Sequence, residues 1–245
     1  QTGLYSADTY TALDALQVLS TTTNSTGGSV VSQEAILGAD PDLVIAPENA
    51  VDRTALAAAG IAVYSPTAYC ADPPAELTQT ATFDRVWDEL ATYGRLLGLQ
   101  DEAAQVIADT KAEVADLGAA DAGTAVALYV SSGGSVLSPY GGPSMVTPVF
   151  EAAGLTNVYA DSDQRVFDAS IEDLTSRDPG TIVLLYSGDD PEATRSAFLS
   201  APGVSALTAV RDDRVVTLAF PYTDPPTVLS TQGPAQLLAA LAELS

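Results

Sequence analysis

Short apolar runs alternate along the chain with longer stretches in which apolar residues recur every three or four positions. The runs are rich in Val, Ile and Leu and are bounded by Pro, Gly or Asp, which is typical of strands buried in parallel sheets. The longer stretches have the period of amphipathic helices. This alternation predicts an α/β fold. The predicted strands are residues 43–46, 61–64, 125–130, 181–186 and 215–220.

A long helical tract without a strand separates the second and third predicted strands. Thr82 is placed to cap a first helix, and Gly98 is placed to end it. A second helix is expected from Asp101 to Gly118, with an inner face formed by Ala103, Val106, Ile107, Thr110, Val114 and Leu117. We therefore predict an N-terminal α/β lobe in residues 1–80, an interlobe helix in 82–98 and a C-terminal α/β lobe in 99–245.

Two segments of the chain share one pattern. Residues 32–46 read SQEAILGADPDLVIA, and residues 170–184 read SIEDLTSRDPGTIVL. Serine suits a helix N-cap, an acid suits the first turn, and an Asp-Pro pair ends a helix. Any capped helix before a strand has some of these features, but the matching run is longer than capping requires. The pattern predicts a short helix followed by a buried strand in each lobe.

Composition excludes several classes of protein. The 245 residues include 32 Asp and Glu but 9 Lys and Arg, giving a net charge of −23, with no histidine and one cysteine. A chain without histidine has no Ser-His-Asp triad, no Cys-His pair and no His-ligated zinc or haem. An acidic excess repels phosphate backbones and anionic bilayers, so we expect no nucleic-acid or membrane partner. The apolar content of 47% is sufficient for a real core.

The sequence features that bear on cellular compartment are few. No apolar run has the length of a membrane span, and the first residues lack the basic and apolar regions of a signal peptide. We expect a mature chain or a piece of one. Cys70 is either a buried, inert thiol or the partner of a cysteine in a missing segment.

With its repeated segments and helical tract, the chain resembles a known family, the substrate-binding proteins of ABC importers for ferric siderophores, haem and cobalamin. The resemblance is carried in the N-terminal half by PDLVIA (41–46), LAAAGIAVY (56–64) and FDRVWDELATYGRLLG (83–98). It continues with FEAAGLTNVYAD (150–161), FDASIEDLTSRDPGTIVLL (167–185) and residues 212–244. The resemblance implies two Rossmann-like lobes with parallel sheets, joined by a long interlobe helix.

One departure from the family concerns the N-terminal lobe. Family members begin with about two further strand–helix units, so the lobe is either abbreviated or truncated here. Truncation removes one wall of the ligand cleft. The family also implies an extracytoplasmic location, with a lipid anchor on a residue upstream of this chain.

Two glutamates are the docking residues that the resemblance implies. In the family, one glutamate per lobe forms a salt bridge with an arginine of the permease, and Glu34 and Glu172 occupy those positions. They are also equivalent in the repeated segment. The alternative is that both acids only stabilise helix N-termini.

The ligand cleft is expected on the loops that follow the strands. Aromatic residues can line the site of a large chelate, while Arg165 and Arg53 can form ion pairs with an anionic chelate. The glycine-rich segment 131–144 offers Ser144 and an amide nest before a helix expected at Pro143, but it has neither nucleotide-binding motif. The cleft candidates are Asn49, Arg53, Tyr69, Ser138, Tyr140, Arg165, Phe167, Phe220 and Tyr222.

The function that these observations predict is binding and delivery. We expect a monomer that captures a ferric siderophore or similar iron chelate and delivers it to an ABC permease, without catalytic residues, resident cofactor or resident metal. Haem or cobalamin are alternative ligands; haem requires a tyrosinate, which the sequence does not assign among ten tyrosines. A ligand-sensing or surface-interaction module is a further alternative. An enzyme such as a glycosyltransferase or chelatase is disfavoured, because neither a close carboxylate pair nor a phosphate clamp is evident.

Overall fold

The computed structural model describes residues 3–23, 29–70, 74–118, 123–131, 136–188 and 190–244. The chain divides into two compact units, an N-terminal unit of Thr2–Pro74 and a C-terminal unit that begins at Ala75. The sequence placed the end of the first lobe at residue 80, so the division lies slightly earlier along the chain.

The N-terminal unit is built around a short parallel pair of strands. Strand β1 pairs with β2 in parallel, with Leu43 opposite Ala62. Three buried aliphatic side chains, Ile36, Leu56 and Ile61, form its core. The core is small, and Ile45 on β1 is 43% exposed, so the strand that was predicted to be buried is only half-buried. The elements are α1 (Ala7–Asp14), α2 (Gln33–Ala39), β1 (Leu43–Ile45), α3 (Arg53–Ala58) and β2 (Ala62–Tyr64).

The C-terminal unit contains a five-stranded mixed sheet. Strand β3 pairs in parallel with β6, and β6 in parallel with β7. The other side of β3 pairs in parallel with β5 at its start and antiparallel with β4 at its end. The strands are β3 (Gly123–Ser131), β4 (Val136–Pro139), β5 (Leu155–Asn157), β6 (Thr181–Tyr186) and β7 (Val215–Ala219).

Seven helices of the C-terminal unit are described. They are α4 (Asp84–Leu97), α5 (Gln100–Ala115), α6 (Val146–Ala152), α7 (Ile171–Arg177), α8 (Pro191–Leu199), α9 (Thr208–Arg211) and α10 (Val228–Ala242). Alternate residues of β6 serve two cores, because successive side chains of a strand point to opposite faces. Val183 packs with Phe150 and Leu237, whereas Leu184 packs with Phe198 on the other face. Burial on both faces explains why this strand is apolar without interruption.

The capped helix of the repeated segment forms in both units as the sequence predicted, whereas the strand that follows it is buried in β6 but only half-buried in β1. Ser32 accepts the amide of Ala35 at the start of α2, and Ser170 accepts the amide of Asp173 at the start of α7, both at 3.1 Å. Both helices have seven residues and end at an aspartate in the left-handed region, Asp40 with φ 47° and Asp178 with φ 40°. Asp tolerates this conformation better than most residues, and the proline that follows prevents the helix from continuing.

The predicted interlobe helix is α4, which packs against α5 and α10 within the C-terminal unit. Gly98 ends it with φ 71°, as predicted. Thr82 is not its N-cap: Phe83 occupies that position, and the Thr82 hydroxyl donates to the Asp84 carboxylate at 3.3 Å. The next helix, α5, ends at Ala115 rather than near residue 118, and Val106 on its predicted inner face is 39% exposed.

None of the helices within the described ranges has both the length and the apolar character that a membrane crossing requires.

Candidate functional site

Three aromatic rings meet where the strands of the C-terminal unit end. Tyr129 lies near the end of β3, Phe220 directly follows β7, and Tyr140 directly follows β4. The ring of Phe220 lies 6.0 Å from that of Tyr129 and 6.4 Å from that of Tyr140, measured between centroids. The first pair is edge-to-face, the geometry that aromatic quadrupoles favour. We call Tyr129, Tyr140 and Phe220 the aromatic cluster.

Burial differs among these rings. Tyr140 is 4% exposed and belongs to the core, whereas Tyr129 and Phe220 are partly buried against the same core. Tyr222, in the turn Phe220–Tyr222, is also partly buried there. Phe220, Tyr129 and Tyr222 can therefore offer surface to a ligand in this conformation, while Tyr140 supports them from beneath.

The phenol of Tyr140 is neutral at physiological pH. Burial raises the pKa of Tyr140 to about 12, and the nearby positive charge of Arg165 opposes this only in part. A tyrosine that ligates haem iron acts as a phenolate. Because Tyr140 is 4% exposed, it presents little surface to a haem iron in this conformation.

Arg165 is brought beside the aromatic cluster by a short antiparallel contact. Tyr140 and Val166 form an isolated bridge, and the amide of Gly141 donates to the carbonyl of Arg165 at 3.1 Å. The guanidinium of Arg165 donates to the carboxylate of Asp224, which is 2% exposed, while the Arg165 side chain is 55% exposed. The cation that the sequence assigned to an anionic ligand is thus already paired with a buried acid.

Asp224 and Tyr129 are the members of this site that the sequence analysis missed. Asp224 follows the turn Phe220–Tyr222, and its amide donates to the carbonyl of Phe220 at 3.1 Å. An acid between a buried strand and two prolines was the available signal, but sequence alone does not show which cation it meets. Tyr129 lies within the predicted strand 125–130, and the sequence does not distinguish it there as a site residue.

The glycine-rich segment has a structural role where it is described. Residues 132–135 lie outside the described residues, and 136–139 form β4 rather than a loop. A Cβ on Gly141 would lie 2.2 Å from the carbonyl oxygen of Gln164, and one on Gly142 would lie 2.6 Å from that of Ala160. These glycines allow two backbones to pack closely. The helix begins at Val146 rather than Pro143, and the buried Ser144 hydroxyl donates to the Gly141 carbonyl at 2.7 Å.

Ser138 and Phe167 lie in a second group of residues. The Ser138 hydroxyl donates to Asp168 at 3.1 Å, and Phe167 packs edge-to-face on Tyr159 with ring centroids 5.5 Å apart. The Tyr159 hydroxyl lies 2.7 Å from the Asp173 carboxylate, and Arg177 lies 4.3 Å above its ring. Burial and the bond to Asp173 raise the pKa of Tyr159 well above its ordinary value. None of the predicted cleft residues belongs both to this group and to the aromatic cluster.

The candidates of the N-terminal unit belong to separate surroundings. Arg53 donates to the Ser65 hydroxyl at 2.7 Å and to the Val63 carbonyl at 3.1 Å. Asn49 lines an otherwise largely apolar groove of about 700 Å³, and Tyr69 is 46% exposed at the end of a short turn. The Cys70 thiol is partly buried and lies 3.8 Å from the Pro66 carbonyl, so it is neither fully buried nor in a disulfide here.

The two predicted docking glutamates occupy equivalent positions. Glu34 and Glu172 are both exposed in the first turn of their helices, α2 and α7. Each follows a serine N-cap by two residues. Their carboxylates are therefore accessible on both units.

Comparison with known proteins decides the family. Residues 4–222 match the family model described as periplasmic binding protein. The chain belongs to this family. The resemblance predicted from the sequence and the α/β fold class are thereby confirmed. Membership in a periplasmic family implies an extracytoplasmic location.

Relatives with described ligands differ in what they bind. Cobalamin-binding proteins from two strains of Halobacterium salinarum are 31% identical over 184 residues, covering 72% of this chain and 46% of the relative. The chain thus spans about half the length of the curated relatives it matches. A crystal structure of an ABC-type Fe³⁺-hydroxamate transport system from Saccharomonospora viridis is 39% identical, covers 98% of this chain and 81% of that chain, and gives a TM-score of 0.81.

A more distant structure shows the fold alone. The apo form of a periplasmic haem-binding protein from Roseiflexus sp. RS-1 is 21% identical, with a TM-score of 0.66. It covers 87% of this chain and 80% of that chain.

Proposed function

We propose that the protein is an extracytoplasmic substrate-binding protein that captures a ferric siderophore or similar iron chelate and delivers it to an ABC permease. The observation that carries this proposal is the 39% identity over 98% of the chain to the Fe³⁺-hydroxamate transport protein of Saccharomonospora viridis. The ferric ion is cargo, and the protein supplies binding and release without a covalent step.

The aromatic cluster supports a large ligand with an apolar periphery. Phe220 and Tyr129 offer adjacent aromatic surfaces, and Arg165 adds hydrogen-bond donors near Tyr140. Tyr222 is partly buried against the same core. Binding pockets for small molecules combine such apolar walls with few polar groups. The site therefore has the composition that a chelate with a buried metal and an organic exterior requires.

Cobalamin is the second candidate ligand, because the curated relatives at 31% identity bind it. It too presents a large, partly apolar exterior. Haem has weaker support, since the haem-binding structure is similar in fold only and Tyr140 is buried.

We also propose that Glu34 and Glu172 dock the protein on its permease. Their support is that both are exposed at equivalent positions of a repeated helix–strand segment, one in each unit. Exposed carboxylates of this kind pair with arginine across an interface and steer association.

A binding titration tests the proposal. Quenching of Trp87 and tyrosine fluorescence is followed during addition of a panel of ferric siderophores, haem and cobalamin. We expect saturable binding of a ferric siderophore and a loss of at least about tenfold in affinity for Phe220→Ala, because a buried aromatic contact contributes about 1–3 kcal/mol. Tyr5→Ala, which removes an exposed aromatic of the N-terminal unit, is the matched control. Tight binding of cobalamin alone would assign the second candidate, and no binding at all would refute both.

A further inference from the structure

The charge of the aromatic site is set by one ion pair. All nine basic residues of the chain lie within the described residues, and Arg165 is the one whose charge acts on Tyr140 of the aromatic cluster. Its guanidinium donates to the buried carboxylate of Asp224. Two other arginines of the C-terminal unit pair with acids elsewhere, Arg177 with Asp161 and Arg195 with Asp213, both at 2.8 Å. The pair therefore leaves this site with no net positive charge from its described side chains.

The acid of this pair is buried. Asp224 is 2% exposed, and its backbone is held by the hydrogen bond from its amide to the Phe220 carbonyl at 3.1 Å. Moving the carboxylate away from Arg165 would leave a buried charge unpaired, which is costly. The Arg165 side chain is 55% exposed. A guanidinium has five N–H donors, so donors remain to bind a neutral carbonyl or hydroxamate oxygen.

A highly charged anion is poorly suited to such a site. The chain carries a net charge of −23 and therefore repels a trianionic ligand. The site has no unpaired cation that would compensate for this repulsion. A neutral chelate escapes this repulsion and still gains the aromatic contacts and the Arg165 hydrogen bonds.

We propose that Asp224 is a specificity-determining residue that cancels the charge of Arg165, so that the site takes neutral ferric chelates of the trihydroxamate class and discriminates against trianionic tris-catecholates. This inference rests on the proposed function and narrows its substrate class. It also revises the expectation that Arg165 serves an anionic siderophore.

The experiment compares one neutral ferric trihydroxamate with one trianionic ferric tris-catecholate. We expect wild-type protein to bind the neutral complex more tightly. Asp224→Asn should strengthen binding of the trianionic complex by about tenfold, because it frees one positive charge within a few ångströms of the ligand. The same variant should change binding of the neutral complex by less than about threefold. Asp213→Asn is the matched control, since it also removes an acid from an Arg–Asp pair, on a carboxylate that is 85% exposed.

Salt dependence provides a readout that does not need the variant to fold. Sodium chloride screens charges, so it should strengthen wild-type binding of the trianionic complex and leave the neutral complex unchanged. Weakening of trianionic binding by salt, preference of wild type for the trianionic complex, or an unchanged preference in folded Asp224→Asn would each overturn the inference. Binding of neither ferric complex would instead refute the proposed function, and this inference with it.

Discussion

Replacement of Gly233 by alanine should destabilise the C-terminal unit, although Gly233 lies inside α10, where alanine is the better helix former. A Cβ at this position would lie 2.0 Å from the carbonyl oxygen of Tyr222 and 3.1 Å from Cγ2 of Val149. An unstrained carbon–oxygen contact is about 3.3 Å, so the backbones must separate by roughly 1 Å. The close approach therefore exists only because residue 233 has no side chain.

Two opposing effects decide the magnitude. Helix propensity favours alanine over glycine by about 1 kcal/mol. Overpacking a well-packed site costs about 1–3 kcal/mol, and the upper part of that range applies because the obstacle is backbone rather than the end of a flexible side chain. We expect a net loss of about 1–2 kcal/mol in the free energy of unfolding.

Urea unfolding followed by Trp87 fluorescence measures this loss, because the single tryptophan lies on α4 in the C-terminal unit. Gly38→Ala is the matched control: Gly38 also lies within a helix, but a Cβ there would meet nothing within 4 Å. It should stabilise the N-terminal unit by up to about 1 kcal/mol, read by far-ultraviolet circular dichroism. A Gly233→Ala protein as stable as wild type, with an unchanged denaturant slope, would refute the reasoning.

Three further predictions concern other parts of the molecule. Asp178→Gly should cost about 1 kcal/mol more than Asp40→Gly in urea unfolding of their units, because only the Asp178 carboxylate accepts hydrogen bonds from the start of α9, at 3.0 and 3.4 Å; equal effects would contradict this. Because burial raises the pKa of Tyr140 to about 12, its neutral phenol contributes to the free energy of unfolding in full below about pH 10, and this contribution is lost as the pH rises to about 12. Alkaline unfolding should thus be less steep in Tyr140→Phe, and an unchanged pH profile would disprove the assignment. Glu34→Ala with Glu172→Ala should abolish most uptake by a reconstituted permease while ligand affinity stays within about twofold; unchanged uptake would rule out the docking role.

The sequence predicts the long, buried strand but not the two short ones. Strand β6 was predicted with its observed bounds, because it is apolar throughout and is buried on both faces. Strands β4 and β5 were missed. They have four and three residues, and each is defined by its pairing with β3 rather than by an apolar run of its own.

The candidate site divides in the same way. Phe220 and Arg165 were found because aromatic and basic residues after strands are readable in a sequence. Their grouping was not: Phe167 packs with Tyr159 instead, and Ser138 bonds Asp168. The acid that pairs with Arg165 is 59 residues away in the chain, a separation across which no local pattern operates.

The sequence by itself determined the α/β class, the family resemblance and the repeated capped helix with its Asp-Pro end, since each depends on neighbouring residues along the chain. Only the tertiary structure decided that Arg165 is already paired, that Tyr140 is buried with a raised pKa, and that Gly141 and Gly142 serve packing. These properties arise from contacts between distant segments. Burial and the local electrostatic environment are set by what surrounds a residue in space, which the order of residues alone does not reveal.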